Sequence, residues 1–467
     1  MGNRPNPPYG HPGDADPSQE QNYPSQLNAR TRVVEILTRI DTRQAYTDKI
    51  LDKELDGFND ADRGLMTEVV NGVMRWQYRL DWYLRQLYVG EYGNLIPDVK
   101  NNLRSSAYQL MYLDKVPAYA VLNEAVEIAK SKYNQKTANL VNAILRNFLR
   151  QMKKLEYLEM QLPFRERLSV KYSHPAWMVE RWIDQWGIDD TVALCESNNR
   201  RPAVNVRINS LRADRETLFR TLDERGIGYT VHPDFPEYLR LDDFSQFRKL
   251  DYLDNGWVVV QDVSTGIPVR LLEPRPGENI LDMCAAPGGK SSFIAERMAN
   301  EGQLLALEKQ PGRAEILRDN MARFGVTIAD IQTEDANELI LERRFDKILL
   351  DAPCTGLGVL AKRVDLRWKR TLQDIETMQQ QQLALLDSAT GLLAPGGVLV
   401  YSTCTIEPDE NERVVERFLE KHPEYALDTL LDIVPRTYLW DKHHVRTFPQ
   451  RHDMDGSFAV RLRHRGE

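Results

Sequence analysis

Ile280-Leu281-Asp282-Met283-Cys284-Ala285-Ala286-Pro287-Gly288-Gly289-Lys290-Ser291 is a short apolar run that breaks into small residues and paired glycines, with an apolar-periodic segment after it. The pattern predicts a strand, a tight turn and the start of a helix. Open α/β sheets bind ligands at the carboxyl end of such a strand. Small residues and glycines let a ligand approach the backbone and meet the helix N-terminus. A P-loop would need glycine where Cys284 stands, and G-x-G-x-x-G is absent. The segment is either a structural turn or the cradle of a nucleoside that is not a dinucleotide.

Downstream, Leu304 to Glu308, Val326 to Ile331, Lys347 to Asp351 and Val398 to Ser402 read as further strands with helical patterns between them. A doubly wound parallel sheet is expected. Glu308 ends its strand where an acid can accept hydrogen bonds from both ribose hydroxyls, and Asp335 follows the next strand. Singly, each reads as a solvated strand-end acid. Their recurrence at successive strand ends favours a binding role.

The next two strands deliver Asp351-Ala352-Pro353-Cys354-Thr355-Gly356-Leu357-Gly358 and Tyr401-Ser402-Thr403-Cys404-Thr405. A lone cysteine is usually a small buried hydrophobe. Two of a chain's four cysteines at the carboxyl ends of neighbouring strands point instead to thiol chemistry. The four are too few for a disulfide framework, none pair as C-x-x-C, and no metal is expected. A thiolate beside a methyl-donating nucleoside suits methylation of pyrimidine carbon 5. Addition at carbon 6 makes the ring an enamine able to attack a sulfonium methyl, and a carboxylate near ring nitrogen 3, for which Asp351 is the candidate, stabilises the adduct. A free thiol titrates near about 8.5, so Lys290 and the helix N-terminus are candidates to lower that value. The chemistry leaves open which thiol attacks.

The chain of 467 residues is too long for one ordinary domain. Residues 1–28 are Pro-rich and polar and read as a disordered tail. Residues 29–154 show helical spacing, as in Val33, Ile36, Leu37 and Ile40 or Val141, Ile144, Leu145 and Phe148, and predict an all-helical domain. Residues 155–255 read as helices followed by a small α+β subdomain, and residues 256–467 as the catalytic α/β domain.

The 61 Lys+Arg against 69 Asp+Glu give a formal charge of −8, which speaks against coating nucleic acid through bulk charge. Residues 101–154 nevertheless hold nine Lys/Arg against three acids, a local +6. Lys362, Arg363, Arg367, Lys369 and Arg370 surround Trp368, which reads either as an RNA-facing cluster with a stacking ring or as a helix start with its Trp in the core. His443, His444 and Arg446 add charge near the C-terminus and read as surface rather than as metal ligands. With no apolar run of about 18 residues and no secretory pattern, a soluble cytoplasmic protein is expected.

DMCAAPGGK (Asp282 to Lys290), DAPCTGLG (Asp351 to Gly358), YSTCT (Tyr401 to Thr405) with Glu407-Pro408-Asp409-Glu410-Asn411-Glu412, and Arg451-His452-Asp453-Met454-Asp455-Gly456 resemble the NOL1/NOP2/Sun family of S-adenosylmethionine-dependent RNA cytosine-5 methyltransferases. The resemblance runs from about Leu155 onward. The helical segment, with Asn123 to Lys130 and Val141 to Arg146, resembles NusB-type RNA-binding domains, and the combination implies the 16S (small-subunit) rRNA branch of the family. It implies an all-α NusB-like domain, a small α+β subdomain and a Rossmann-like class I methyltransferase domain. It further implies that Cys404 forms the covalent bond and Cys354 assists release. Cys284, Ala285, Ala286, Pro287, Gly288, Gly289, Lys290, Glu308, Asp335 and Asp351 are implied to line the cofactor site. Glu308 stands where family members commonly carry Asp. The implied partners are S-adenosylmethionine and 16S rRNA, with no DNA, no membrane and a monomeric enzyme. The same chemistry on tRNA, or a non-catalytic assembly factor that kept the fold, are the alternatives.

Overall fold

A computed structural model describes residues 28–43 and 47–466. The expected disordered tail therefore lies outside the described residues, except for Asn28.

The N-terminal part is helical, with Ala29–Arg43, Thr47–Glu54, Asp60–Leu87, Pro97–Tyr112, Ala118–Lys132 and Gln135–Met160. Apolar residues at helical spacing face inward and share one core, including Val33, Ile36, Leu37, Val69, Val73 and Phe148. Asn59 and Asn134 cap two of the helices through their side chains. Gly72 lies where Asp60–Leu87 meets Pro97–Tyr112, and a Cβ there would stand 1.9 Å from the Tyr108 ring. Of the basic residues in 101–154, Arg104 is buried against Asp41 and Asp81 at 2.8 and 2.6 Å, and Lys132 pairs with Glu35 at 3.3 Å. Lys115, Lys130, Lys136, Arg146, Arg150, Lys153 and Lys154 are exposed, so the basic face is narrower than the sequence count.

Helices Phe164–Tyr172, Ala176–Trp186 and Ile188–Asn199 lead into a small antiparallel sheet. Its strands are β1 (Val204–Ile208), β2 (Tyr229–Val231), β3 (Tyr238–Leu241) and β4 (Val258–Val260), in the order β2-β3-β1-β4. Leu218 and Leu222 of helix Arg215–Glu224 pack into its core. The fourth strand comes from beyond residue 255, so the chain passes from this sheet directly into the part that forms the large sheet.

The large sheet contains β5 (Asn279–Asp282), β6 (Gln303–Leu307), β7 (Ala329–Gln332), β8 (Phe345–Asp351), β9 (Leu393–Thr403), β10 (Tyr425–Leu427), β11 (His444–Thr447) and β12 (Ser457–His464). The order is β10-β12-β9-β8-β5-β6-β7, with β11 also paired to β12. The run β9-β8-β5-β6-β7 is parallel, as expected, while β12 pairs antiparallel with β9 and makes the whole sheet mixed. One expected strand starts late. Gly325 ends the preceding helix with φ +76°, and the Val326 N–H donates back to Met321 O, so β7 begins only at Ala329. Because β5 is flanked by β6 on one side and β8 on the other, the chain reverses direction across the sheet there, and a crevice opens at the carboxyl ends of these strands.

Candidate active site

The loop after β5 occupies that crevice. The Ala285 N–H donates to Leu307 O at 2.8 Å and the Gly288 N–H to Ala285 O at 2.8 Å, which folds the loop back before helix Gly289–Arg297. Gly288 has φ +106°, a conformation open to glycine. A cavity of about 390 Å³ lies against this loop. Cys284, Ala285, Ala286, Pro287, Gly289 and Lys290 form one wall, together with Asp282 and Asp351. The opposite wall comes from the small subdomain and its exit, through Asn205, Gln261 and Asp262, and is completed by Lys362 and Asp455. Four carboxyl groups against two ammonium groups, on a wall built largely of small side chains, fit a ligand that carries positive charge. Asp282 is fully buried, and burial pushes its carboxyl up to about 6.

Glu308 and Asp335 stand where the sequence placed them, after β6 and β7, but neither lies on the cavity wall. Glu308 is buried, accepts from the Gln310 N–H at 2.9 Å and pairs with Arg313 at 3.1 Å. Arg313 also donates to Ala286 O at 2.7 Å, so Glu308 is tied to the glycine loop through one guanidinium. Asp335 pairs with Lys309 at 2.6 Å, and that hydrogen bond leads the influences holding its carboxyl below the usual range.

The thiols of Cys354 and Cys404 meet at 3.2 Å, one following β8 and the other following β9. Beside them Lys290 Nζ pairs with Asp351 Oδ2 at 2.6 Å, and Ser402 Oγ donates to Asp351 Oδ1 at 2.8 Å. Burial opposes the Lys290 charge, yet Asp351, with a smaller contribution from Cys404, raises the ammonium above its ordinary value and keeps it cationic. Its hydrogen bond with Cys404, then burial, push the Cys354 thiol well up. Cys284 lines the cavity as a thiol held up by burial, and Cys195 is a core thiol pushed up by burial to about 12.

The basic cluster around Trp368 turns inward, so of its two readings the helix start with its Trp in the core holds and the RNA-facing one does not. Trp368 Nε1 donates to Met74 O at 2.6 Å and packs against the helical domain's core. Arg367 is fully buried and donates to the carbonyls of Arg75, Ser173, Asn198 and Leu360 and to Asn199 Oδ1. Lys362 bridges Asp262 at 2.5 Å and Asp455 at 2.9 Å, and Arg370 donates to Thr355 O at 2.8 Å. Arg446 is buried as well, donating to Ile406 O at 2.7 Å and pairing with Glu412 at 3.2 Å. These cations fasten segments of the protein together. Among the described residues no helix is long and apolar enough to cross a membrane.

Residues 269–463 match the family model described as 16S rRNA methyltransferase RsmB/F, residues 27–150 match the NusB family, and residues 174–248 match the ferredoxin-like domain of RsmF/B-like methyltransferases. A Synechocystis protein named probable ribosomal RNA small subunit methyltransferase B is 35% identical over 447 residues, covering 94% of this chain and 99% of that protein. The chain belongs to the RsmB/F methyltransferase family. A Klebsiella pneumoniae relative named ribosomal RNA small subunit methyltransferase B is 33% identical over 408 residues, covering 86% and 91%. Among solved structures, the one titled PH0851 superposes with TM-score 0.78 at 27% identity over 94% of this chain and 99% of its own. NSun6 from Pyrococcus horikoshii aligns with TM-score 0.56 at 25% identity, covering 62% and 97%. The RsmB/F architecture of NusB domain, ferredoxin-like subdomain and Rossmann-like methyltransferase domain is thus the architecture of this chain.

Three elements of the site escaped the sequence reading. The wall formed by Asn205, Gln261 and Asp262 needs the subdomain to close on the catalytic sheet, for which no local pattern exists. The Asp262–Lys362–Asp455 bridge joins segments far apart in the chain. Glu410, packed beside the thiols, sits inside a quoted motif, and its place four residues after Ile406 in an otherwise solvated-looking acidic run was the available signal.

Proposed function

We propose that this chain transfers a methyl group from S-adenosylmethionine to carbon 5 of a cytosine in 16S rRNA, through a covalent bond between Cys404 and carbon 6 of the base. The observation that carries the reading is the pair of thiols 3.2 Å apart at the ends of neighbouring strands, beside the Lys290–Asp351 ion pair. The loop from Cys284 to Lys290, with Asp351 and the flanking Glu308 and Asp335, would hold the cofactor, which supplies an electrophilic methyl group.

Cys404 acts as the nucleophile, its sulfur beside the Lys290 ammonium. Its addition to carbon 6 moves the double-bond electrons toward carbon 5 and the ring's nitrogen 3. As nitrogen 3 becomes electron-rich it takes up a proton from water, and the resulting N–H donates to Asp351, oriented by Ser402 and Lys290, which stabilises the adduct at that edge of the base; the proton is returned on release. Cys354 is held as a protonated thiol and assists the release: water takes the carbon 5 proton, the C–H electrons re-form the carbon 5–carbon 6 double bond, and the Cys404 sulfur is expelled as a thiolate that accepts a hydrogen bond from the Cys354 S–H. The target base must leave its stack, at a cost of a few kcal/mol that is least in looped or unpaired RNA. The exposed Lys and Arg of the helical domain supply phosphate contacts, and the family's relatives named for the small ribosomal subunit support 16S rRNA as the substrate. The protein acts in the cytoplasm, as a monomer.

The experiment is incubation of the purified protein with protein-free 16S rRNA and S-adenosylmethionine, digestion to nucleosides and mass spectrometry, with a tRNA pool in parallel. The expected product is 5-methylcytosine in 16S rRNA. A methyl group on another base, or 5-methylcytosine in tRNA alone, overturns the assignment.

A further inference from the structure

Cys354 lies in irregular chain between β8 and the short helix Leu366–Lys369, where no strand ladder holds it. The peptides on both sides of it are pinned instead by side chains. Gln382 Nε2 donates to Pro353 O at 2.9 Å and to Glu410 Oε2 at 3.2 Å. The Thr355 N–H donates to Glu410 Oε2 at 2.8 Å, and the Thr355 hydroxyl also donates to the Glu410 carboxylate. Glu410 belongs to the turn that follows Cys404, and Tyr401 on the Cys404 strand donates to its backbone carbonyl at 2.6 Å. Thr355 and Thr405, the residues after the two cysteines, meet hydroxyl to hydroxyl at 3.1 Å. Glu410, Gln382, Thr355 and Thr405 are all buried.

A buried carboxylate is costly unless its oxygens are satisfied. Here the donors it collects come from Thr355 beside Cys354, from Gln382, which itself holds Pro353, and from Thr405 beside Cys404. We infer that Glu410 and Gln382 form a clamp that fixes Cys354 against Cys404, making Glu410 a positioning residue that sets the spacing of the two sulfurs. The inference rests on the reading of the thiols given above. When Cys404 is bonded to carbon 6, Cys354 must serve the release from a fixed place, and a misplacement of about 1 Å costs on the order of 100-fold.

The test reads thiol spacing apart from activity. Phenylarsonous acid is captured by two thiols with loss of two waters, forming two As–S bonds, and tight capture requires both sulfurs to reach one arsenic. Wild-type protein is expected to bind one equivalent, and Cys354→Ala to abolish that capture. Glu410→Ala is expected to weaken it by about tenfold or more, because the loosened loop lowers the effective concentration of one thiol at the other. Glu410→Gln, which keeps an acceptor for the Thr355 N–H and a donor toward its hydroxyl, is expected to stay within about threefold of wild type. In turnover, Glu410→Ala should lose about 100-fold in kcat and accumulate protein–RNA adduct, with the dissociation constant for S-adenosylmethionine unchanged. Gln382→Met makes the same test should Glu410→Ala fail to fold. A folded Glu410→Ala or Gln382→Met protein that captures the arsenical as tightly as wild type overturns the clamp, as does a Glu410→Gln protein no better than Glu410→Ala. A Cys354→Ala protein that forms no adduct refutes the roles of the thiols, while the arsenical titration still decides the clamp.

Discussion

Gly358→Ala tests the thiol arrangement without touching a thiol, a charge or the cofactor loop. Gly358 donates its N–H to Cys404 O at 3.1 Å and accepts from the Gly456 N–H at 2.8 Å, so it is wedged between the Cys404 strand end and the C-terminal loop. A Cβ at this position would stand 2.0 Å from Gly456 O and 2.9 Å from Cys404 O, where ordinary contact begins at 3.4 Å. The first clash falls short of contact by about 1.4 Å. It is with backbone, so no rotamer change relieves it. A Cβ added at Gly456 would in turn stand 2.9 Å from Gly358 Cα, so the two glycine backbones pack directly against each other. The movement therefore passes into the segments carrying Cys354 and Cys404. Displacement of reacting groups by about 1 Å corresponds to roughly 100-fold in rate, or about 2.7 kcal/mol of transition-state stabilisation. The assay is single-turnover transfer of labelled methyl to 16S rRNA, with cofactor affinity by calorimetry and melting temperature as controls. The expected variant is folded, binds cofactor like wild type and transfers methyl about 100-fold more slowly. A Gly358→Ala protein within about threefold of wild-type rate would refute the reasoning from sterics to thiol geometry.

Arg367→Met removes a buried guanidinium that hydrogen-bonds five acceptors from four segments of the chain, and is expected to cost about 3 kcal/mol or more of stability in chemical denaturation. A loss below about 1 kcal/mol would contradict its role as a tie between the helical domain and the Cys354 loop. Burial, then Asp262, push the Asp455 carboxyl up to about 7, so the folded protein binds its proton more tightly than the unfolded chain. This group's contribution to stability falls as pH rises from about 4 to about 7, and Asp455→Asn should gain on wild type across that window in melting experiments. A constant difference between the two proteins over that range contradicts the shift. Replacing Arg146, Arg150 and Lys153 together by alanine should weaken RNA binding and reduce the slope of log affinity against log salt by about 2, measured by filter binding. An unchanged slope places the RNA elsewhere.

Helices of the N-terminal domain were legible because their apolar residues recur at helical spacing over many turns, as from Val33 to Ile40 and from Val141 to Phe148. Four of the parallel strands, β5, β6, β8 and β9, were legible because each carries an apolar run that leads into a chemically marked residue, Asp282, Glu308, Asp351 or Cys404, whereas β7 has neither feature and was placed three residues early. Strands β11 and β12 were not legible, since His444–Thr447 and Ser457–His464 carry buried arginines where a strand pattern shows apolar residues. Arg461 and Arg446 are tolerated there because Glu273, Asp428 and Glu412 meet them from other segments. The basic run around Trp368 left two readings open for the same reason. Charge is visible in sequence, while the carbonyls of Arg75, Ser173 and Asn198 that receive Arg367 become neighbours only on folding. The thiol motifs announced their strand ends, and their 3.2 Å approach follows from β8 and β9 being adjacent and parallel in register.

The most direct measurement is incubation of Cys354→Ala protein with 16S rRNA and S-adenosylmethionine, followed by denaturing electrophoresis. The account predicts a denaturation-resistant protein–RNA adduct that accumulates with Cys354→Ala and is absent with Cys404→Ala. An adduct formed by Cys404→Ala and not by Cys354→Ala would reverse the roles of the two thiols, and methyl transfer to carbon 5 by a protein lacking both would contradict covalent catalysis altogether.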